Sequence, residues 1–342
     1  MKLFGTELPI VQAPMAGSQA GNMAAAVSAA GALGSLPCAL LSVDGMRKEL
    51  ELIRGRTHGP VNVNFFCHTP PAADEAREAA WRTALAPYYR ELGIDAAKIP
   101  AGPGRAPFSA EFANALEAFK PEVVSFHFGL PARDLVGRVK AWGAKVLSSA
   151  TTVDEARWLE AQGVDAIICQ GLEAGGHRGM FLTDDLTTQV GTFALLPQVV
   201  KAVRVPVIAA GGIADSKGVA AALALGASAV QVGTAFLCCD EATITPIHRA
   251  ALLGEGARHT ALTNLFTGRP SRGIVNRLMR ELGPISPAAP AFPLATSGIG
   301  PIRAAGEAKG SGDFSPLWSG QNATGCRGVP AAEQVRSLAG VS

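Results

Sequence analysis

The segment QGLEAGGHRG, residues 170–179, puts an amide, two adjacent glycines and a histidine within ten positions. Gly175 and Gly176 permit close approach of the backbone to a flat ligand. An imidazole beside them can take or give a proton near neutral pH, or hold an anion when protonated. His177 is therefore the first candidate catalytic residue, set against a histidine that merely caps its loop. His127, in SFHFGLP (125–131), is the second. It either faces the same substrate or is a core imidazole between Phe126 and Phe128. Arg178 reads as a solvated or loop-bonding arginine, and His68, His248 and His259 have no comparable setting.

A different chemistry is written at 206–213, PVIAAGGI, and again about one β/α unit later at 229–236, AVQVGTAF. Two successive strands that end in glycine and feed helices aim backbone N–H groups at one spot, which suits a dianionic phosphate. Gly211, Gly212, Val232, Gly233 and Thr234 are the candidates. Tight turns without a ligand are the alternative. QAPMAG (12–17) places Pro14, Met15 and Ala16 where the chain leaves the first strand, with Met15 either meeting a ring system or packing. Asn64 in VNVNFF, Gln170 and Gln231 are amides at strand ends that could hydrogen-bond one ligand. None of these residues forms a metal-ligand pattern.

The elements that must hold these residues alternate. Short β-branched or apolar runs begin near Ile10, Ala32, Val61, Val123, Lys145, Ala166, Val207 and Ala229, and helical patterns follow at 22–30, 42–54, 134–142, 153–161, 194–203 and 216–225. Thr152 and Asp215 are plausible N-caps. Eight βα units close a (β/α)8 TIM barrel, an α/β fold whose active site sits where the strands end and whose seventh and eighth strands form the usual phosphate corner. Two stretches break the rhythm. Residues 66–120, with Pro70, Pro71, Pro100 and Pro103, are expected to place extra helices over the mouth after strand three. The expected division is a barrel at 1–240 and a helical and irregular extension at 241–342 that covers the mouth.

Composition agrees with that architecture and excludes others. Apolar residues make up 48 %, aromatics 6 %, and there are 39 glycines, which suits many short buried strands joined by tight turns. Thirty basic against 28 acidic residues, without a Lys/Arg run, leave no footprint for nucleic acid and point to a small-molecule partner. The six cysteines form no C-x-x-C, so a reducing cytoplasm is expected. Glu7, Pro9, Gln12 and Pro14 interrupt the apolar N-terminal region before a signal sequence can form, and no stretch supplies the roughly 20 apolar residues of a membrane helix.

QAPMAG, VNVNFF, FHFGLP, QGLEAGGHRG, AAGGI, QVGTAF, TNLFTGRPSRGIVNR and LWSGQ together resemble the motifs of the nitronate monooxygenases, formerly called 2-nitropropane dioxygenases, from about Leu8 to Arg336. EAGGH and AAGGI are shared with FMN-dependent enoyl-thioester and quinone reductases; FHFGLP, GRPSRG and LWSGQ favour the nitronate-oxidising class. The resemblance implies non-covalent FMN, with its phosphate at Gly212, Gly233 and Thr234 and with Asn64, Gln170, Gly175 and Gln231 around the rest. It implies oxidation of a nitronate by O2 to a carbonyl compound and nitrite, with His177 as the active-site histidine, His127 as a second group for the nitro function, and a homodimer as one assembly. Two other readings stand beside it: an NAD(P)H-dependent quinone or enoyl-thioester reductase on the same flavin, and a non-redox barrel that binds a phosphate ligand. Where such enzymes often place tyrosines and a lysine, PAFPLATSGIG offers Phe292 and Thr296, which implies a less polar pocket.

Overall fold

In the computed structural model, which describes residues 4–99 and 105–341, each apolar run becomes a parallel strand. The strands are β1 (Ile10–Gln12), β2 (Gly34–Pro37), β3 (Val61–Phe66), β4 (Val123–His127), β5 (Lys145–Ala150) and β6 (Ala166–Gln170). A two-residue strand β7 (Gly176–His177) then leaves the barrel, and β8 (Val207–Ala210) and β9 (Ala229–Val232) complete it. The sheet order β1-β9-β8-β6-β5-β4-β3-β2 is that of a barrel opened at one seam. That seam is stitched by Gln12 N–H to the Leu33 carbonyl and Leu33 N–H to the Ile10 carbonyl, both 2.9 Å. Strand two was expected from Ala32 and starts at Gly34, where pairing with β3 begins; glycine is required there because a Cβ would lie 2.0 Å from the Ala24 carbonyl oxygen, so that the helix before it packs against bare backbone.

The period of two along each strand does the positioning. Val11, Leu33, Val123, Leu147, Ile168 and Ile208 point inward and fill the barrel floor as one buried cluster. Two residues further along the same inward face come Ser125, Ser149, Gln170 and Ala210, and beyond Ser125 comes His127. Alternation alone therefore sends a ring of polar side chains to the strand ends. The other face packs under the helices α1 (Gly21–Ala29), α2 (Val43–Arg54), α3 (Glu75–Leu92), α4 (Ala110–Glu117), α5 (Arg133–Ala141), α6 (Val153–Ala161), α7 (Thr192–Ala202) and α8 (Ser216–Ala224). Ser42, Thr152 and Asp215 cap α2, α6 and α8 by accepting from the backbone three residues on.

Both irregular stretches are more regular than the sequence implied. Among the described residues of 66–120 the additions are α3, which packs on the C-terminal extension, a short 3-10 turn at Ala96–Lys98, and the segment that brings Arg105 to the cleft. The other helix, α4, packs on α2 and α5 as the barrel's own third helix. Pro100 and Pro103 lie outside the described residues. After β9 come α9 (Pro246–Leu253), the antiparallel strands β10 (Thr260–Thr263) and β11 (Ser271–Ile274), α10 (Arg277–Leu282), α11 (Ala295–Ala308) and α12 (Ala331–Ala339). The last of these returns to the barrel, packing on α1, α8 and β1 with Ala331, Val335 and Leu338 in the main core. A boundary at residue 240 is therefore not the one that packing follows, since the barrel's eighth helix is supplied from the C-terminus.

A second core holds the additions together. Trp81 and Tyr89 of α3 donate to the carbonyls of Ala295 and Gly298 on α11, at 3.2 and 2.8 Å. Gly298 lets the two helices meet, because a Cβ there would lie 2.9 Å from the Trp81 ring. Among the described residues no helix is long and apolar enough to cross a membrane.

Candidate active site

The strand ends open into a cleft of about 1300 Å³, counting its open mouth, enough for a ligand of cofactor size. Every candidate named from the sequence borders it. Pro14, Met15 and Ala16 come from the loop after β1, Asn64 from β3, His127 from β4 and Gln170 from β6. Gly175, Gly176 and His177 come from the loop into β7, Gly211 and Gly212 from the end of β8, and Gln231, Val232, Gly233 and Thr234 from the end of β9. Met15 also packs against both neighbouring apolar clusters, so its packing role and its place on the cleft coexist.

At the β8 and β9 corner the backbone turns through left-handed geometry at Gly211 (φ +115°) and Gly212 (φ +74°), which side-chain-bearing residues rarely adopt. The N–H groups of Gly212, Gly233 and Thr234 have no acceptor among the described residues. A C-terminal strap laces the two turns together. Asn322 donates to the Gly212 carbonyl at 3.0 Å, and Gly320 N–H donates to the Thr234 hydroxyl at 2.9 Å. The strap also explains Gly175: a Cβ there would lie 2.5 Å from Gly320 N, so this glycine answers to the strap's backbone rather than to a ligand. Gly176 has open space where a Cβ would stand, and its φ of +69° shows that the turn, not crowding, requires glycine there.

The amides divide. Gln231 keeps its Oε1 buried without a partner, a cost that a ligand N–H would remove. Asn64 donates to the Ser125 hydroxyl and carbonyl, at 2.9 and 3.2 Å, and so has no free N–H for a ring. Gln170 staples the glycine loop: its Nε2 donates to the His177 carbonyl at 3.0 Å and its Oε1 accepts from Gly179 N–H at 2.8 Å, which leaves one Nε2–H of this cleft-lining amide without an acceptor among the described residues.

His127 belongs to the same network of bonds. Its Nε2 lies 3.1 Å from the His177 carbonyl, which can only accept, so the proton sits on Nε2; its Nδ1 accepts from the Ser149 hydroxyl at 3.0 Å. Both nitrogens are engaged and burial holds the ring neutral down to about 3, so His127 supports the backbone of His177 from its place on the cleft lining. That carbonyl thus receives two donors, one from β4 and one from β6.

His177 itself is held through its backbone by pairing with Ser271 of β11, and through Nε2 by the Thr267 hydroxyl at 3.0 Å. Around its ring stand Phe292, Trp318, Phe66 and Phe128, with centroids at 5.3, 5.8, 5.8 and 6.0 Å. Burial, and then Arg105, His127, Arg269 and His68, push its pKa well below the ordinary imidazole value, so the ring is neutral at pH 7. Arg269 stacks on Phe128 at 4.0 Å and Arg105 lies over Phe292 at 5.4 Å. Neither forms an ion pair with a carboxylate among the described residues. Arg269 feels the carboxylates of Asp184 and Glu155, whereas Arg105 borders the cleft itself, so the cleft joins a neutral base to one guanidinium without an ion-pair partner among the described residues, a setting for an anion or for an acid that becomes one.

Sequence reasoning missed Arg105, Ser149, Trp318, Gly320 and Asn322 on the cleft. LWSGQ marked the strap without giving it a role. It also passed over His68, whose ring edges Phe292 at 4.8 Å. Phe292 stands against the His177 ring without bordering the cleft itself, and Thr296 lines an adjoining cavity while its hydroxyl donates to the Phe266 carbonyl at 3.2 Å.

Four imidazoles, His68, His127, His177 and His248, have lowered pKa values, in each case chiefly through burial. Above pH 6.5 both folded and unfolded chains carry them neutral and their contribution to stability is complete. As pH falls below 6.5 the unfolded chain takes up protons that the folded one refuses, costing up to about 1.4 kcal/mol per pH unit for each fully refused proton. Urea midpoints are expected to decline between pH 6.5 and 5; a flat profile across that window contradicts the burial of these rings.

Comparison with known proteins gives the family. The family model for nitronate monooxygenase matches residues 1–339. A nitronate monooxygenase of Paraburkholderia phytofirmans is 46 % identical, covering 99 % of this chain and 93 % of the relative. One of Pseudomonas aeruginosa is 42 % identical over 98 % and 97 % of the two chains. The crystal structure of a nitroalkane oxidase from Streptomyces ansochromogenes superposes with a TM-score of 0.90 at 39 % identity, covering 98 % of this chain and 96 % of that one. FabK from Thermotoga maritima follows at 0.72 and 27 %, over 98 % and 93 %. A full-length family match, relatives above 40 % identity and a shared barrel leave one assignment: the chain belongs to the nitronate monooxygenase family, which is flavin-dependent.

Proposed function

We propose that this protein holds FMN in the cleft and oxidises a nitronate with O2 to a carbonyl compound and nitrite. The observation that carries the reading is the pairing of a neutral His177 with the guanidinium of Arg105, which borders the same cleft in a flavin-family barrel. The residues fit the cofactor. The free N–H groups of Gly212, Gly233 and Thr234 suit its phosphate, and the orphaned Oε1 of Gln231 suits an N–H of its ring. Once bound, FMN supplies the electron transfer and the oxygen chemistry.

What the chain contributes is binding, orientation and proton handling. Arg105 favours an anionic substrate, in a cleft whose aromatic walls keep the dielectric low and its attraction strong. The neutral ring of His177 removes the α-proton when the substrate arrives as a neutral nitroalkane. Phe66, Phe128, Phe292 and Trp318 restrict water around that ring.

Purified protein is expected to be yellow, or to bind added FMN, and to release nitrite aerobically from a small alkyl nitronate. Under anaerobic conditions the nitronate, and not NADH, is expected to bleach the flavin. A colourless protein that refuses FMN removes the cofactor; bleaching by NADH alone moves the assignment to a reductase.

A further inference from the structure

Among the described residues the His177 ring makes one side-chain hydrogen bond. Its Nε2 lies 3.0 Å from Thr267 Oγ1, while Nδ1 has no partner among the described residues and borders the cleft. Thr267 is 4 % exposed, and its hydroxyl lies 3.4 Å from the Arg269 carbonyl, which also accepts from the Ser271 hydroxyl at 2.9 Å. A hydroxyl has one proton to give and a neutral imidazole has one N–H, so only two arrangements exist. If Thr267 donates to the Arg269 carbonyl, its lone pair accepts Nε2–H, both contacts become hydrogen bonds, and Nδ1 is bare. If Thr267 donates to Nε2 instead, the carbonyl contact is lost and Nδ1 carries a proton with no acceptor in the chain. Two bonds against one select the first arrangement.

We propose that Thr267 is a positioning residue that fixes the proton of His177 on Nε2 and so makes Nδ1 the basic atom facing the substrate. The inference rests on the reading of His177 as a base given above. In the step it governs, the α C–H bond of a neutral nitroalkane breaks, the electron pair stays on the substrate as the nitronate, and the proton passes to Nδ1. Nε2–H remains on the Thr267 hydroxyl throughout, so the ring does not turn as it changes charge. A preformed nitronate has already lost that proton and makes no use of the device.

The test uses flavin-loaded wild type, Thr267→Val and Thr267→Ser. Valine keeps the shape and removes the hydroxyl; serine restores it. In protein labelled with [15N]histidine, two-bond proton–nitrogen spectra report which ring nitrogen is bare. Nδ1 is expected to be bare in the wild type and the serine variant, and the valine variant is expected to lose that preference. Activity on neutral nitroethane is expected to fall in Thr267→Val by at least ~10-fold more than activity on ethyl nitronate, a fraction of the range for general-base catalysis, and to recover in Thr267→Ser. A bare Nε2 in the wild type overturns the proposal, and so does equal loss on both substrates. If the wild type releases nitrite from neither, the functional reading falls and the spectra alone decide the position of the proton.

Discussion

Replacing His177 with alanine is expected to lower nitrite release from a neutral nitroalkane by about 10²–10⁴-fold, the contribution of a positioned base. The loss on a preformed nitronate should be smaller, because proton removal is no longer needed. The fold should survive. The imidazole makes one hydrogen bond, to Thr267, while the strand pairing of residue 177 and the two donors on its carbonyl belong to the backbone. Flavin content and thermal midpoint are therefore expected to stay near wild type, which separates loss of a base from loss of the site. Equal turnover of the neutral substrate by both proteins removes His177 from the chemistry. Removing Arg105 tests the complementary half: affinity for an anionic nitronate should weaken and become less sensitive to salt.

His177 was legible because its neighbours are local. Two glycines after an apolar run, followed by histidine, locate a strand end and a rim position within one segment. The strands were legible for a related reason: β-branched runs ending in glycine carry their own period, and seven of the eight begin where the sequence placed them. What escaped is what the chain assembles over distance. Nothing near α12 says that it will close the barrel against α1 and α8, since its apolar stripe would suit any neighbour. Nothing near Gln170 or His127 says that their polar atoms will be consumed by the His177 carbonyl, because that competition exists only once β4, β6 and the glycine loop converge. Residue type told which groups could meet a ligand; only packing told which remained free to do so. Gly175 makes the point in reverse, a glycine read as room for a cofactor and used as room for the strap at 319–320.

Arg178→Met is expected to be the most damaging substitution away from the reacting groups. The sequence left open whether this arginine was solvated or bonded to its loop, and the structure decides for the loop with the side chain fully buried. Its Nη1 and Nη2 donate to the carbonyls of Gly171 and Gln170, at 2.7 and 2.9 Å, and its Nε donates to Gln189 Oε1 at 2.9 Å. One planar group thus satisfies both ends of the turn that leaves β6 and ties it to the segment before α7, a task for which a point charge is poorly shaped. Burial and Arg272 weaken its hold on the proton, to about 10, and Glu155 and Glu173 offset part of that, so the cation persists at neutral pH. Methionine fills much of the same volume but leaves the Gln170 carbonyl and Gln189 Oε1 without a donor, while the Gly171 carbonyl keeps the Ala174 N–H at 3.1 Å; at roughly 1–3 kcal/mol for each of the two orphaned acceptors, the loss is about 2–6 kcal/mol. In a chain of this size that corresponds to a fall in Tm on the order of 5 °C. Activity should fall along with stability, because the turn that loosens carries Gly176 and His177. Arg178→Lys, with one ammonium for three acceptors, should lie between the two. A urea midpoint for Arg178→Met indistinguishable from wild type would show that water or a shifted loop can replace the guanidinium, and that the glycine turn is held by the Gln170 staple and the strap alone.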